Sequence, residues 1–176
     1  GDEGQKIILN HHVPMLTPFA SMLQLQRTTS ENPAFVELVK QLDVYVTAMD
    51  GEDHAFYAQY NHIDKIKHVV VAYDGETALG CGAIKKFDTA TMEVKRMYTA
   101  PEGRGRGIAS KILHELERWA TELSCEHCIL ETGRQYENAI RLYIKAGYTE
   151  IENYGQYVNM TSSICFAKQL RTQTTT

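Results

Sequence analysis

A glycine-rich segment at positions 101–109, Pro-Glu-Gly-Arg-Gly-Arg-Gly-Ile-Ala, has the composition of a loop that binds an anion. It lies between a predicted strand and a predicted helix. Glycines in such a loop let the backbone approach a ligand closely, and the free N–H groups at a helix start suit a pyrophosphate. The alternative is a glycine-rich turn in which Arg104 and Arg106 are simply solvated.

The surroundings of this segment argue against two other phosphate-binding loops. A dinucleotide fold carries its glycine fingerprint after the first strand of a repeating βαβ unit, whereas three predicted strands precede this segment. A P-loop is excluded because no Gly-Lys-Ser/Thr follows at the required spacing.

The cysteines raise the question of a metal site, but their spacing does not support one. Cys125 and Cys128 have the spacing of half a zinc site, but a structural site needs about four ligands, usually as two such pairs, and the sequence has no second pair. We therefore expect no metal. Cys81 and Cys165 fall in predicted strands, which favours a packing role over that of an acyl carrier.

Hydrophobic periodicity predicts the elements that position the glycine-rich segment. Asn32 followed by Pro33 is typical of a helix start. Gly107 opens the helix that we expect to be the longest. The predicted order is α-α-β-β-β-α-β-α-β-β, with helices at about 33–49, 54–63, 107–123 and 137–146 and strands at about 66–73, 79–87, 92–99, 127–131, 148–154 and 164–168.

This order predicts an α+β (mixed α/β) fold, in which a mixed, mostly antiparallel sheet is flanked by helices. The connection from the third strand through the long helix to the strand at 127–131 is expected to be a right-handed crossover between parallel strands.

Length and composition bound the class of protein. A chain of 176 residues with 43% apolar residues is long enough for one domain with a core. A net charge of −4 argues against a nucleic-acid partner. No apolar run approaches the roughly 18–20 residues that span a bilayer, so we expect no membrane association. Four cysteines are too few for a disulfide framework, and no secretory leader is evident, so we expect a cytoplasmic protein.

The N-terminal segment reads differently from the rest of the chain. Two interpretations of residues 1–21 remain open: a remnant of a cloning vector, or a native arm that packs on a neighbouring subunit and would make a homodimer. Residues 22–170 are predicted to form a single domain, and the Thr-rich residues 171–176 a frayed tail.

Three segments in order resemble the GCN5-related N-acetyltransferases (the GNAT family), which bind acetyl-CoA. The phosphate loop of that family, Arg/Gln-x-x-Gly-x-Gly/Ala, is matched by Arg104, Gly107 and Ala109. The strand at 92–101 precedes it as in the family. The stretch 138–148, Asn-Ala-Ile-Arg-Leu-Tyr-Ile-Lys-Ala-Gly-Tyr, loosely matches a further family element. The resemblance covers about residues 35–168.

The resemblance implies where acetyl-CoA would bind. The backbone of Met97, Tyr98 and Thr99 would pair with the pantetheine arm like an added strand, and Asn138 would bond it from the opposite side. Two neighbouring strands must splay to admit the arm. The pyrophosphate would lie on backbone N–H groups of the loop, with a hydroxyl from Ser110: Arg104, Gly105, Arg106, Gly107, Ile108 and Ala109.

The resemblance also implies the catalytic groups of an acyl transfer from a thioester to an amine. Tyr143, by its place in the family motif, is the expected general acid, since a phenol of pKa about 10 is protonated at neutral pH. Glu93, on the strand before the loop, is the preferred general base, and Glu131 is its competitor. The alternatives are a core tyrosine and a solvated or ion-paired carboxylate.

We therefore predict an acetyl-CoA-dependent N-acetyltransferase that acts on a primary amine of a small molecule or peptide by direct attack in a ternary complex. The main alternative is a non-catalytic acyl-CoA-binding or sensor module on the same fold, and a second is a nucleotide-binding regulator. The loop between the last two strands, with Tyr154 and Tyr157, is expected to border the acceptor.

Overall fold

A computed structural model describes residues 22–59 and 65–171 of the chain. In these residues seven strands form one sheet in the order β1-β2-β3-β4-β5-β7-β6. The strands are β1 (Leu23–Thr28), β2 (His68–Asp74), β3 (Thr77–Lys86), β4 (Thr91–Thr99), β5 (His127–Gly133), β6 (Thr149–Ile151) and β7 (Ser163–Gln169).

The helices lie on both faces of the sheet. They are α1 (Pro33–Asp50), α2 (His54–Ala58), α3 (Ile108–Glu122) and α4 (Glu137–Lys145), with single 3₁₀ turns at Gly51–Asp53, Pro101–Gly103 and Gly155–Tyr157. No helix in the described residues is long and apolar enough to cross a bilayer.

The sheet is antiparallel except where β4 meets β5. These two strands run parallel and pair at Thr91, Met92 and Glu93 opposite His127, Cys128 and Ile129. Both strands continue, but the parallel pairing recorded between them ends at Glu93, so their carboxyl ends separate. The predicted mixed sheet, with α3 as the crossover between parallel strands, is confirmed.

The sequence-based element order was wrong in two places. It omitted β1, which pairs antiparallel with β2 and alternates half-buried Leu23 and Leu25 with exposed glutamines. It also took the helix after Gly107 as the longest, whereas α1 has 18 residues and α3 has 15. The described part of α2 ends at Ala58, and the predicted helix end near Ile63 lies outside the described residues.

Local sequence explains the two long helices. Asn32 accepts hydrogen bonds from the N–H groups of Ala34 and Phe35 at 2.8 and 3.2 Å, and Pro33 occupies the first turn of α1. The apolar face of α1 packs on one side of the sheet, and the apolar stripe of α3 packs on the other. Each fully buried leucine or isoleucine in these faces contributes about 1.5–3 kcal/mol.

A bulge in β4 shapes the strand next to the separation. Cys81 pairs with Tyr98 and Ala83 with Lys95, so two residues of β4 lie opposite Gly82. Arg96 in this bulge has a φ of +59°. A bulge bends its strand and increases the local twist, which contributes to the divergence of β4 from β5. A side chain at position 82 would collide with the Met97 sulfur, because a Cβ there would lie 2.4 Å from it.

Candidate active site

A cavity of about 790 Å³ occupies the space between the diverging ends of β4 and β5. Residues 93–99 of β4 form one wall, and Glu131 and Thr132 of β5 form part of the opposite wall. The start of α3, the part of α4 from Glu137 to Tyr143 and the middle of α1 close it, and Tyr157 lies against it. The cavity therefore connects the glycine-rich loop with the carboxylates that the sequence analysis singled out.

The predicted cofactor residues divide into two groups. Those that line the cavity are Met97, Tyr98, Thr99, Arg104, Ala109 and Asn138. The side chains of two others go elsewhere: Ile108 is buried in the core, and Arg106 forms an ion pair with Asp74 at 3.0 Å. Ile108 and Arg106 could therefore contact a cofactor only through their backbone groups. Ser110 is exposed in the first turn of α3.

The start of α3 carries the features of an anion site. Gly107 is its N-cap with a φ of +71°, and Gly105 has a φ of +79°, a region of backbone conformation that favours glycine. Because this N-cap residue is a glycine, it has no side chain to accept a hydrogen bond from the first N–H groups of α3. The first N–H groups of α3 are therefore available to a ligand, and Arg104 and Ala109 join the loop to the cavity.

Tyr143 projects from α4 into the same cavity. Its ring packs against Tyr148 and Phe166, with centroids 5.9 and 6.2 Å away. Burial, followed by the nearby charge of Glu131, raises the pKa of the Tyr143 phenol above its usual range. The phenol therefore stays protonated at neutral pH and can donate a proton or a hydrogen bond.

Glu93 lines the cavity but is already engaged by two neighbours. The Tyr154 hydroxyl donates a hydrogen bond to Glu93 Oε2 at 2.5 Å, and Lys95 Nζ lies 3.5 Å from Glu93 Oε1. The ion pair with Lys95, one of the alternatives left open by the sequence, is therefore present. Arg96 instead pairs with Asp43 of α1 at 3.1 Å.

Glu131 is half-buried near the carboxyl end of β5. Burial raises the pKa of its carboxyl to about 7, while a hydrogen bond with the Ser163 hydroxyl and the charge of Lys95 act in the opposite direction. A carboxyl with this pKa exists in both protonation states near neutral pH, which suits a group that accepts and releases protons.

Sequence reasoning missed two tyrosines of the cavity wall, Tyr45 of α1 and Tyr136, the residue before α4. The Tyr136 hydroxyl donates to Asp50 Oδ1 at 2.7 Å, and its ring lies 5.9 Å from that of Tyr45. Tyr45 and Tyr136 both line the cavity. Tyr136 lies three residues after the end of β5, and the carboxyl end of a parallel strand is a common position for a ligand contact, so chain position was a usable signal.

The aromatic loop between β6 and β7 reaches the cavity through one residue. Tyr157 lines it, while Tyr154 packs between Tyr157 and Phe87, with centroids 5.8 and 5.4 Å away.

The cysteines are buried and free. Burial raises the pKa of Cys81 to about 12 and that of Cys165 to about 11, so both are thiols at neutral pH. Within residues 22–59 and 65–171, no group of histidine, cysteine and carboxylate side chains has a metal-binding arrangement.

Comparison with known proteins identifies the class of protein to which this fold and cavity belong. Residues 30–148 match the acetyltransferase (GNAT) family. The chain belongs to that family and is an acetyltransferase.

Individual relatives support the same assignment. The IAA acetyltransferase of Azospirillum brasilense is 30% identical over 142 residues, which are 76% of this chain and 88% of the relative. A candidate acyl-CoA N-acyltransferase from Klebsiella pneumoniae subsp. pneumoniae MGH 78578 superposes with a TM-score of 0.72 at 25% identity, covering 86% of this chain and 99% of the other.

A third protein shares the fold. The GNAT acetyltransferase of Elizabethkingia anophelis, with acetyl-CoA bound, has a TM-score of 0.60 at 16% identity, over 84% of this chain and 98% of the other.

Proposed function

We propose that the protein transfers the acetyl group of acetyl-CoA to a primary amine of a small molecule or peptide, by direct attack within a ternary complex. The observation that carries the proposal is the single cavity that runs from the uncapped start of α3 to Glu131 and Tyr143 between separated strands. A thioester and an amine held in one such cavity can react without a covalent enzyme intermediate.

The residues present fit acetyl-CoA. The first turn of α3 offers backbone N–H groups to the pyrophosphate, beside the guanidinium of Arg104. Within the described residues, β4 pairs with β5 only as far as Glu93. The edge of β4 that faces β5 is therefore open after this residue, and the backbone of residues 97–99 can pair with the pantetheine arm. Asn138 lies across the cavity from this edge. Bound acetyl-CoA supplies the activated acetyl group as a thioester.

Counting the protons that the amine loses assigns roles to two side chains. A protonated primary amine loses two protons when it becomes an amide. Glu131 accepts the first, which frees the nitrogen lone pair for attack on the thioester carbonyl. Tyr143 donates its proton to the departing sulfur as the carbon–sulfur bond breaks, and the second proton from nitrogen restores the phenol. Each turnover therefore leaves one surplus proton on Glu131.

The contacts favour Glu131 over Glu93 as the base, although sequence reasoning preferred Glu93. Glu93 already accepts a hydrogen bond from Tyr154 and pairs with Lys95, so its carboxylate is neutralised and held. Glu131 is half-buried, and desolvation raises its pKa to about 7. We assign Glu93 to positioning: it fixes Tyr154 and Lys95 beside the acceptor.

The acceptor side is lined by Glu93 and Glu131 together with Lys95 and Arg96, and Asp50 is joined to it through the hydrogen bond from Tyr136. Because Lys95 and Arg96 are paired with Glu93 and Asp43, the carboxylates of Glu131 and Asp50 remain to attract a cationic amine. Aromatic rings of Tyr45, Tyr136 and Tyr157 can flank its carbon chain.

Two measurements test the proposal. Thermal-shift titration should show stabilisation by acetyl-CoA and CoA and none by NAD, since a ligand of the native state raises the melting temperature. A panel of amines and peptides, assayed for CoA release, should then give turnover. Stabilisation by acetyl-CoA with no turnover on any amine would support the sensor alternative, and stabilisation by NAD alone would support the nucleotide-binding regulator.

A further inference from the structure

Arg96 carries a buried hydrogen-bond donor for which the folded chain provides no acceptor. Its side chain is 6% exposed, and Nη1 donates to Asp43 Oδ1 of α1 at 3.1 Å. Nη2 is buried and has no hydrogen-bond partner in the part of the chain that the structure describes. A guanidinium is always charged and every one of its nitrogens is a donor, so one of its two terminal nitrogens is left without an acceptor.

This side chain lies on the wall of the cavity. Arg96 lines the cavity, and so do Leu42 and Val46, which lie within one turn of Asp43 in α1. The ion pair between Arg96 and Asp43 therefore joins β4 to α1 along that wall.

A bulge brings Arg96 to this side of the sheet. Val94 packs in the core beneath α3, and regular strand alternation would turn Arg96 to the same face. The extra residue in the bulge, where Arg96 has a φ of +59°, lets its side chain reach Asp43 on the opposite face. A positive φ is uncommon for a residue other than glycine and often accompanies a functional position.

Glu131 faces the same side as the Arg96 guanidinium. Cys128 and Leu130 of β5 pack in the core beneath α3, so alternation along β5 turns Glu131 to the face that α1 covers. The side chains of Arg96 and Glu131 thus belong to one half of the cavity, on the acceptor side.

An unpaired buried donor costs free energy, and the cost is larger for a charged group. A ligand oxygen placed at Nη2 removes this penalty in the bound state. We propose that the acceptor of the acetyl group is an amino acid, or a similar amine that carries a carboxylate, and that Arg96 Nη2 binds this carboxylate. The inference rests on the proposed function, because it names the substrate class of the same cavity.

The charges around the cavity fit such a zwitterion. Glu131 and Asp50 attract the ammonium end and repel the carboxylate end, and complementary charges of this kind fix the orientation of a ligand. Lys95 is a second cation on the wall, but it already pairs with Glu93 at 3.5 Å. Asp43 is 44% exposed, so solvent screens its repulsion of the carboxylate. The amine is thereby turned towards Glu131, the group that accepts its proton.

Matched substrate pairs test the proposal. The panel contains amino acids with carbon spacers of increasing length between amine and carboxylate, each paired with its carboxamide, which keeps the size and removes the negative charge. We expect the wild type to favour the acid. The ratio of kcat/KM for acid to that for carboxamide should fall about 10–100-fold in Arg96→Met, as for the loss of a hydrogen bond between charged groups. Comparing this ratio between enzymes cancels the difference in amine basicity within a pair.

Three further variants sharpen the result. Arg96→Lys keeps a cation for Asp43 but loses the second terminal nitrogen, so the ratio should also fall. Asp43→Asn removes the carboxylate that competes for the guanidinium, and the ratio should rise about two- to fivefold, since a half-exposed partner competes weakly. Arg118→Met, which removes an exposed arginine of α3, is the matched control and should leave the ratio unchanged.

Two results would overturn the proposal. One is a wild-type ratio in Arg96→Met or Arg96→Lys. The other is a ratio that falls only in Lys95→Met, because the carboxylate would then bind Lys95. If neither Arg96 variant folds, Asp43→Asn decides, and an unchanged ratio there counts against the proposal.

A binding measurement separates this inference from the proposed function. Calorimetric titration of each acid and its carboxamide into the CoA-saturated protein needs no turnover. If no amine is acetylated, the proposed function fails, but tighter binding of an acid than of its carboxamide, lost in Arg96→Met, would still support the carboxylate site. Equal binding of acid and carboxamide by the wild type across the panel would exclude it.

Discussion

The hydroxyl of Tyr154 lies 2.5 Å from Glu93 Oε2, which ties a carboxylate of β4 to the loop between β6 and β7. This bond and the ion pair with Lys95 occupy Glu93 from two sides. Glu131, on the neighbouring strand, is the carboxyl whose pKa of about 7 allows it to accept a proton near neutral pH. The two glutamates therefore differ in availability although both line one cavity.

This difference predicts unequal effects of two substitutions. A base must be ionised, so the wild-type kcat/KM should rise with pH through about 7, the pKa of Glu131. Glu131→Gln should remove this limb and lower kcat/KM by about 10²–10⁴-fold. Glu93→Gln should keep the limb and change mainly KM for the amine. The pH–rate profiles of the three proteins identify the general base. Loss of the rising limb in Glu93→Gln alone would return the base role to Glu93.

Gly107 tests the cofactor site. Gly107→Glu introduces a negative charge at the start of α3, where the pyrophosphate would bind, and we expect acetyl-CoA affinity to fall at least about 100-fold. Gly75→Glu is the matched control, because Gly75 also has a positive φ, +58°, and no atom within 4 Å of an added Cβ, but lies in the β2–β3 turn. Isothermal titration of both folded variants should show loss only for Gly107→Glu; equal affinities would exclude the helix start as the phosphate site.

Tyr143 tests the general acid. Tyr143→Phe keeps the ring contacts with Tyr148 and Phe166 and removes only the proton donor, so acetyl-CoA binding should persist while kcat falls at least about tenfold. Tyr148→Phe is the control. It removes a buried phenol that donates to Glu117 at 2.9 Å, so it should lower stability by about 1–3 kcal/mol and spare kcat. Wild-type kcat in Tyr143→Phe, with chemistry rate-limiting, would leave Tyr143 a packing residue.

Local patterns were enough to predict most of the sheet and the glycine-rich turn at the start of α3. The stripe from Ile108 to Leu116 and the turn at Gly107 are encoded by neighbours in sequence, so periodicity detects them. The sequence analysis omitted β1 because its short alternation of apolar and polar residues indicates a strand only when it pairs with β2, more than 40 residues later in the chain.

The finer chemistry of the site could not be predicted for the same physical reason. Tyr57 and Ser163 are 106 positions apart, and Asp50 and Tyr136 are 86 apart. Glutamate at position 131 has an ordinary sequence context, and its altered acidity arises from burial that only the folded chain creates. Sequence therefore gave both glutamates as candidates, while the contacts of Tyr154 and Lys95 distinguish them.

The pH dependence of the free energy of unfolding should reveal the titration of Glu131 independently of catalysis. The pKa of Glu131 is raised in the folded protein from 4.5 to about 7, so the folded state binds its proton more tightly than the unfolded chain does. Its contribution to stability is therefore fully present below about pH 4 and is lost as the pH rises through about 7. In the wild type this one group lowers the free energy of unfolding by a few kcal/mol, on the order of 3, between those limits.

Glu131→Gln removes that dependence, since the amide resembles the protonated carboxyl at every pH. We expect the melting temperature of the variant to match the wild type near pH 4 and to exceed it near pH 8, where wild-type Glu131 is ionised in its half-buried site. Glu150→Gln, which alters an exposed glutamate of β6, should follow the wild type throughout. Calorimetry at the two pH values measures the difference, and parallel melting curves for wild type and Glu131→Gln would mean that Glu131 titrates in the folded protein as it does in the unfolded chain.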